Sequence, residues 1–246
     1  LFEFMFKINY LKYKRTFLKK IIYIIPISLI ILSYILAPPY FTVDSYNWWY
    51  TIIMPITYAL IPALMNRYED KKIKYRAVYP LSIDLRKIWI SKIIVASCLI
   101  LMTSLVHLIA VLIVQFIFGD QIFLIYSFST LLVSSIVLVV SSIWQIPFCL
   151  LLAKKFGFST SLMINGLLGV VLGIMFSAGD YWLFSPYSWS IRAMVPMLKI
   201  MPNGLPADAG NMMLNTSILL PCIFSILLFL LLSYLSSIWF AKQEVG

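Results

Sequence analysis

The sequence predicts an all-α polytopic membrane protein with six transmembrane helices. Hydrophobic residues make up 62% of the 246-residue chain and charged residues only 11%, whereas a soluble domain carries roughly 25% charged residues. Six segments without Asp, Glu, Lys or Arg approach or exceed the roughly 20 apolar residues that a helix needs to cross a bilayer. Helices satisfy their own backbone hydrogen bonds in lipid, and the alternating pattern of a membrane barrel is missing.

The predicted spans run approximately over residues 21–37, 48–66, 93–118, 122–153, 158–178 and 214–240. As a single helix, the fourth segment would be about 45 Å long at about 1.5 Å per residue, which exceeds the hydrocarbon thickness. Its "WQIP" stretch, Trp144 to Pro147, therefore predicts a kink, or a helix end that lies in the membrane interface.

The residues before the first span are expected to form an amphipathic helix on the inner membrane surface. The lysines lie elsewhere on the helix, while the apolar side chains fall near one face. These apolar residues are Phe4, Ile8, Leu11 and Leu18. We expect no cleavable signal, since no small-residue cleavage site follows the first apolar run. The sequence begins with Leu1, and Met5 is another candidate start.

The positive charges are distributed very unevenly along the chain. If the N-terminus is cytoplasmic, 17 Lys and Arg residues face the cytoplasm, and only Arg192 and Lys199 face outward. The positive-inside rule therefore places both termini in the cytoplasm. The net charge of +10 is assigned to orientation and anionic lipid headgroups, and nucleic-acid binding is not expected because the chain has no soluble core to carry a basic face.

Residues 67–92, "RYEDKKIKYRAVYPLSIDLRKIWISK", form a charged segment between the second and third spans. Its charges and tyrosines suit an aqueous protein interface, and Pro80 ends any preceding helix. Ser82 fits an N-cap with Asp84 in the first turn, and the helix then continues through Trp89 into the third span. The segment is either a lever that takes force from a soluble partner or a solvated loop. The candidate coupling residues are Lys74, Tyr75, Arg76, Tyr79, Ser82, Asp84, Leu85, Arg86 and Lys87.

The sequence offers no catalytic, cofactor or metal site, so we do not expect an enzyme. A phosphate-binding loop with lysine is missing, as are HExxH and the paired acidic or Glu–His groups of membrane proteases. His107 is the single histidine, and it is interpreted as a hydrogen-bonding residue of the bundle or of a polar cavity in preference to a transport residue. Because the spans contain no acidic residues, ion-coupled transport is also disfavoured.

Gly166, Gly169 and Gly173 lie on one face of the fifth span, which favours close helix packing. Their neighbour is either within this chain or in another subunit. The long segment 179–213 is rich in Trp, Tyr, Pro and Gly, which predicts short helices that lie in, or re-enter from, the outer membrane interface.

Several strings together resemble the permease subunits of type-2 ABC transporters, in particular the lantibiotic self-protection group of the MutE/EpiE type. They are "LKYKRTFL" (11–18), "YNWWY" (46–50), "KYRAVYPLSIDLRKIWISK" (74–92), "WQIPFCLLLAKKFG" (144–157), "SPYSW" (185–189) and "MPNGLP" (201–206). The resemblance implies one permease domain over residues 1–246, with the six spans, interface helix, coupling element and outer re-entrant helices expected above.

The resemblance also implies partners and a location in the bacterial cell membrane. The partners are two copies of an ABC ATPase that binds ATP and Mg²⁺, a second related permease, and a lantibiotic or other amphiphilic peptide that is removed from the membrane. The candidate peptide contacts, for which interface anchoring is the alternative, are Tyr181, Trp182, Tyr187, Trp189 and Arg192. The alternative functions are export of a lipid-linked glycan or toxin peptide, and a sensor or scaffold that transports nothing.

Overall fold

The computed structural model describes Tyr13 and residues 16–70 and 84–245. Its helices are α1 (Phe17–Leu36), α2 (Phe41–Trp48), α3 (Met54–Tyr68), α4 (Leu85–Phe118), α5 (Phe128–Ser142), α6 (Gln145–Phe156), α7 (Phe158–Ser177), α8 (Ser188–Leu198) and α9 (Leu219–Ala241). Extended structure within these residues consists of an isolated antiparallel bridge between Ile200 and Pro206. The predicted N-terminal interface helix falls on residues outside this range, except for Tyr13 and the start of α1.

Five helical segments are long and apolar enough to cross a membrane, and the count is six if α5 and α6 form one bent span. They are Phe17–Leu36, Pro38–Tyr68, Leu85–Gln121, Phe158–Ser177 and Leu219–Ala241, with Phe128–Ser142 and Gln145–Phe156 as the bent pair. The predicted fold class is therefore confirmed as an all-helical chain with five to six apolar helices. The outward faces of α7 and α9 remain largely apolar, which suits lipid and not water.

Two of the spans are interrupted within the bundle. Trp49–Ile53 forms a π-helical turn between α2 and α3, in which the Met54 N–H bonds to the Trp49 carbonyl. Pro55 follows immediately and has no backbone N–H, so it cannot donate the hydrogen bond of a regular α-helix at this position. The second interruption separates α5 from α6, whose axes differ by 44°, and it confirms the kink predicted around Trp144.

The core forms around α3, which packs against α6 and α7. Tyr58, Ala59 and Ile61 on this helix are fully buried. Around it, α1 packs on α4, α8 lies against α5 and α7, and α9 leans on α4, α5 and α6. Since α8 has only 11 residues, or about 16 Å of helix, it is too short to cross the hydrocarbon and instead fills one end of the bundle.

The described cations separate to the two ends of the bundle. We call the basic end the one at which α1, α4 and α7 begin and α3, α6 and α9 end, and the other the opposite end. The basic end carries Lys19, Lys20, Arg67, Arg86, Lys87, Lys92, Lys154, Lys155 and Lys242. Among the described residues, the opposite end carries Arg192 and Lys199.

Candidate functional site: the basic-end junction and the polar interior

Helix α4 begins within the charged segment, at Leu85, and continues without a break through the third span. Its N-cap is Asp84, whose carboxylate accepts a hydrogen bond from the Arg86 backbone N–H at 2.9 Å. The predicted cap at Ser82 is therefore wrong, and Asp84 lies before the first turn and not within it, because an aspartate supplies a cap acceptor as well as serine does. Leu85 is buried, while Arg86 and Lys87 are exposed.

The remaining predicted coupling residues fall outside the part of the chain that the structure describes. These are Lys74, Tyr75, Arg76, Tyr79 and Ser82. What the structure does describe is where the charged segment is attached, namely the last turn of α3 and the first turns of α4.

A buried ion pair joins those two attachment points. Glu69, one residue past α3, pairs with Lys92 of α4, and both side chains are almost completely buried. The Tyr13 hydroxyl donates a hydrogen bond to Glu69 Oε1 at 3.0 Å. Buried charges persist when they are paired and hydrogen-bonded, so this carboxylate ties together α3, α4 and the segment that precedes α1.

Two aromatic side chains contact the lysine, Trp89 from α4 and Phe240 from α9. The Lys92 ammonium lies 5.1 Å from the ring centre of Phe240 and 5.6 Å from that of Trp89. The two rings stack at 4.5 Å, and the Trp89 indole N–H donates to the Ser236 hydroxyl at 2.9 Å. Cation–π contacts of this kind gain strength when water is excluded. We call Tyr13, Glu69, Trp89, Lys92, Ser236 and Phe240 the basic-end junction.

The sequence placed Glu69 and Lys92 in the charged segment, as part of a force-transmitting lever or of a solvated loop, and did not pair them with each other. One signal for the pair was present, since Leu85, Trp89 and Lys92 recur at helical spacing and share a face with buried apolar residues. The identity of the partner could not be read from the sequence, because 22 residues separate Glu69 from Lys92.

A second polar cluster lies beside the junction, where α3 meets the turn between α6 and α7. Asn66 donates to Asp70 at 2.7 Å and to the Ala153 carbonyl at 3.1 Å. Asp70 also pairs with Lys154 at 3.1 Å. Asn66, Asp70 and Ala153 line one side of a groove of about 400 Å³ that opens at the basic end.

The glycine stripe of α7 packs against helices of its own chain. A Cβ at Gly166 would lie 3.5 Å from Ile56, and a Cβ at Gly169 would overlap Pro55. At Gly173 it would lie 3.0 Å from Ile191 and 3.3 Å from the Tyr187 carbonyl oxygen. Of the two neighbours that the sequence left open, the structure places the internal one, formed by α3 and α8, on this face.

Asn165 lies on the same face as the stripe and connects both helix interruptions. Its amide nitrogen donates to the Pro55 carbonyl at 2.7 Å and to Gln145 Oε1 at 2.8 Å. Its amide oxygen accepts a hydrogen bond from the Tyr187 hydroxyl at 3.1 Å. Burial raises the pKa of the Tyr187 phenol, which keeps the donated proton in place. The sequence did not reveal this network, because an isolated amide in an apolar segment carries no information about its partners.

His107 is a packing residue of the interior. Its Nε2 lies 3.0 Å from the Ser45 hydroxyl, and its ring stacks on Trp49 at 4.5 Å with an interplanar angle of 7°. This geometry fits the interpretation of His107 as a hydrogen-bonding residue of the bundle. Among the residues that the structure describes, no group of three or more His, Cys, Asp or Glu is placed to hold a metal ion.

The predicted peptide-contact residues separate into buried and exposed ones. Tyr187 and Trp189 are buried, and the Trp189 indole donates to the Leu183 carbonyl at 2.9 Å. Trp182 is half-buried, and Tyr181 is 72% exposed. Tyr187 and Trp189 therefore lie inside the bundle, because α8 packs against α5 and α7, and their contact with peptide stays a prediction.

Arg192 is likewise a structural residue. Its guanidinium donates to the Ser177 carbonyl at 2.9 Å and to the Thr216 hydroxyl at 3.1 Å, and it lies 5.7 Å from the ring centre of Trp182. Burial lowers the pKa of Arg192, an effect that the nearby Asp180 carboxylate opposes, and an arginine remains charged in either case. Arg192 thus caps the last turn of α7 and joins it to α8 and to the segment before α9, while its contact with peptide stays a prediction.

Comparison of this chain with protein-family models, with curated proteins and with solved structures gave no significant match. The functional conclusion therefore depends on the residues and their contacts.

Proposed function

We propose that this chain is a permease subunit of a type-2 ABC transporter that expels a lantibiotic or similar amphiphilic peptide from the producer's own bacterial cell membrane. The proposal includes two copies of a separate ATPase subunit, a second related permease and cytoplasmic termini. The uneven distribution of cations between the two ends of the bundle supports a cytoplasmic location for the basic end.

The observation that carries the proposal is the basic-end junction. A segment with four Lys and Arg residues leaves from Glu69 and returns at Asp84, and its two attachment helices are joined by the Glu69–Lys92 pair. A displacement of this segment by a soluble partner would therefore move α3 and α4 together. It would also move α9, because Trp89 and Lys92 contact Phe240 and Trp89 is hydrogen-bonded to Ser236.

The proposed mechanism follows from this mechanical connection. ATP binding closes the partner ATPases, and their movement enters through the charged segment. The helices that lead from the junction reach the polar interior, where Asn165 connects α3, α6 and α7, so displacement of α3 is passed to its neighbours. We propose that the peptide is then released from the opposite end, where Tyr181 is the one member of the predicted contact set that is strongly exposed.

The test expresses the chain with its ATPase and sister permease in a lantibiotic-sensitive bacterium and measures survival together with ATP hydrolysis by the purified complex. Reversing both charges in Arg86→Glu/Lys87→Glu is expected to abolish protection while insertion, assembly and hydrolysis remain. Lys242→Glu is the matched control, since Lys242 is another exposed cation at the basic end, and it is expected to protect normally.

Two outcomes would count against the proposal at different levels. Normal protection by Arg86→Glu/Lys87→Glu would refute the proposal that the start of α4 transmits force from the ATPase. Equal killing with and without the complete, assembled set of subunits would refute the self-protection function itself.

A further inference from the structure

The groove at the basic end is lined by aromatic and charged side chains that have no role in the transport proposal. It lies between the end of α3 and the turn from α6 into α7, and it has a volume of about 400 Å³. Its wall combines two phenyl rings with charged groups. The lining includes Arg67, Asp70, Phe156, Phe158 and Ser159.

Each phenyl ring of the groove carries a cation. The Arg67 guanidinium lies 5.3 Å from the ring centre of Phe158, and the Lys155 ammonium lies 5.2 Å from that of Phe156. Both cations are exposed. Aromatic stacking holds the apolar part of each side chain against the groove while the charge remains available to an anion.

The one carboxylate of the groove lining is offset by its neighbours. Asp70 accepts hydrogen bonds from Lys154 at 3.1 Å and from Asn66 at 2.7 Å. Among the described residues that line or directly flank the groove, Arg67, Lys154 and Lys155 against Asp70 give a net charge of +2. The local chemistry therefore favours an anionic ligand.

An exposed apolar ridge leads from the groove along α7. Ser159 lines the groove, and residues that follow it at intervals of four along the helix face outward. They are Met163, Leu167 and Val171, which are 61%, 60% and 49% exposed. Residues four apart form a continuous ridge on a helix. Twelve residues correspond to about 18 Å, which is about the thickness of one leaflet of a bilayer whose hydrocarbon core is about 30 Å thick.

A basic recess that continues into an apolar ridge matches an amphiphile with an anionic head and a long chain. A soluble anion would make no contact with the apolar ridge. An acidic protein segment would bring charged side chains against a helix face that is suited to lipid. We propose that this groove binds the headgroup of an anionic phospholipid, with an acyl chain lying along Met163, Leu167 and Val171. Basic recesses between membrane helices are a known class of anionic headgroup site. The inference requires only a membrane-embedded chain and does not rest on the transport proposal.

The first experiment measures lipid binding to the purified full chain in neutral detergent by native mass spectrometry. The probes are phosphatidylglycerol, phosphatidylcholine and the water-soluble headgroup glycerophosphoglycerol. Removing one cation near an anionic group is expected to weaken binding about fivefold, and removing two about 30-fold. Arg67→Gln/Lys155→Gln should therefore lose phosphatidylglycerol about 30-fold, while Lys242→Gln, which removes an exposed cation outside the groove, should bind normally.

Three results would overturn the site. Equal weakening in Lys242→Gln would show general attraction to a basic surface. Equal affinity for phosphatidylglycerol and phosphatidylcholine would show that the cations do not select the headgroup. Comparable binding of glycerophosphoglycerol would show a free-anion site to which the ridge contributes nothing.

The second experiment locates the acyl chain. Phosphatidylglycerol with a diazirine on one acyl chain is activated by light, and the labelled peptides are identified by mass spectrometry. Labelling is expected on Met163, Leu167 and Val171, to be displaced by excess unlabelled phosphatidylglycerol, and to fall in Arg67→Gln/Lys155→Gln. The assignment would be refuted if labelling were spread equally over the exposed faces of α7 and α9 and were not displaced by unlabelled lipid. It would also be refuted if a co-purified protein protected the groove from the lipid.

Discussion

The Glu69–Lys92 pair gives the sharpest prediction about stability. In Glu69→Gln, the ammonium of Lys92 loses its carboxylate in a site where both side chains are at most 2% exposed, and Tyr13 loses a charged acceptor. Breaking a buried pair from one side costs about 3–5 kcal/mol. The cation–π contacts of Lys92 with Trp89 and Phe240 contribute about 2 kcal/mol or less, which is smaller than this cost.

The pair is separated from its surroundings by a double substitution. Replacing both partners with apolar residues of similar size, as in Glu69→Leu/Lys92→Met, removes the buried charges together, and such replacements are often neutral or stabilising. Asp70→Asn is the matched control for a neighbouring pair. Because Asp70 is 42% exposed, solvent screening limits its expected effect to about 1 kcal/mol or less.

The measurement is equilibrium unfolding of the purified chain in mixed micelles, with circular dichroism as the readout of helix content. We expect the free energy of unfolding to fall by about 3–5 kcal/mol in Glu69→Gln, and to return near the wild-type value in the double variant. A cost below about 1 kcal/mol for Glu69→Gln, or a double variant as unstable as the single one, would refute the reasoning.

Three further predictions concern the interior and the opposite end, measured by the same unfolding experiment. Gly169→Ala should lower the free energy of unfolding by about 1–3 kcal/mol through overlap with Pro55. Gly210→Ala, where a Cβ meets nothing within 4 Å, should change it little. Equal effects of the two substitutions would contradict close packing at the glycine stripe. Asn165→Ala leaves Tyr187 and Gln145 without their partner and should cost about 1–3 kcal/mol, against a small effect for Thr160→Ala on the same helix, and the reverse order would argue against the network. Arg192→Met should cost about 1.5–3 kcal/mol by removing charged hydrogen bonds, while substitution of the exposed Lys199 by Met should be close to neutral. A loss of peptide binding in Arg192→Met without a loss of stability would contradict this structural role and support direct contact with peptide.

The spans could be predicted because hydropathy and charge act on the average over a window. Residues 93–118, for instance, fall within α4, which the structure extends back to Leu85. The kink near Trp144 was also predictable, since Pro147 has no N–H for the preceding turn. Features of this kind depend on neighbours along the chain and need no knowledge of tertiary contacts.

The candidate site was less predictable because it depends on which distant residues meet. Tyr and Trp are the residue types that anchor helices at a membrane interface, but the packing of α8 against α5 and α7 buries Tyr187 and Trp189. Asn165 reads as a single polar residue beside Gly166, and only the folded chain shows that it binds the carbonyl of Pro55. The helix cap was misplaced because serine and aspartate fit a cap about equally well.

The contact between Glu69 and Lys92 also determines how freely the charged segment can vary in length. The chain leaves at Glu69 and re-enters at Asp84, which lies eight residues, or about 12 Å of helix, before Lys92. The segment therefore closes over a short distance, and added residues raise the cost of closure only slowly. Doubling such a loop costs only about 0.6 kcal/mol in closure entropy. The residues between Asp70 and Asp84 can therefore be lengthened, or exchanged for a stretch that recognises a different soluble partner, while the helices they join keep their packing.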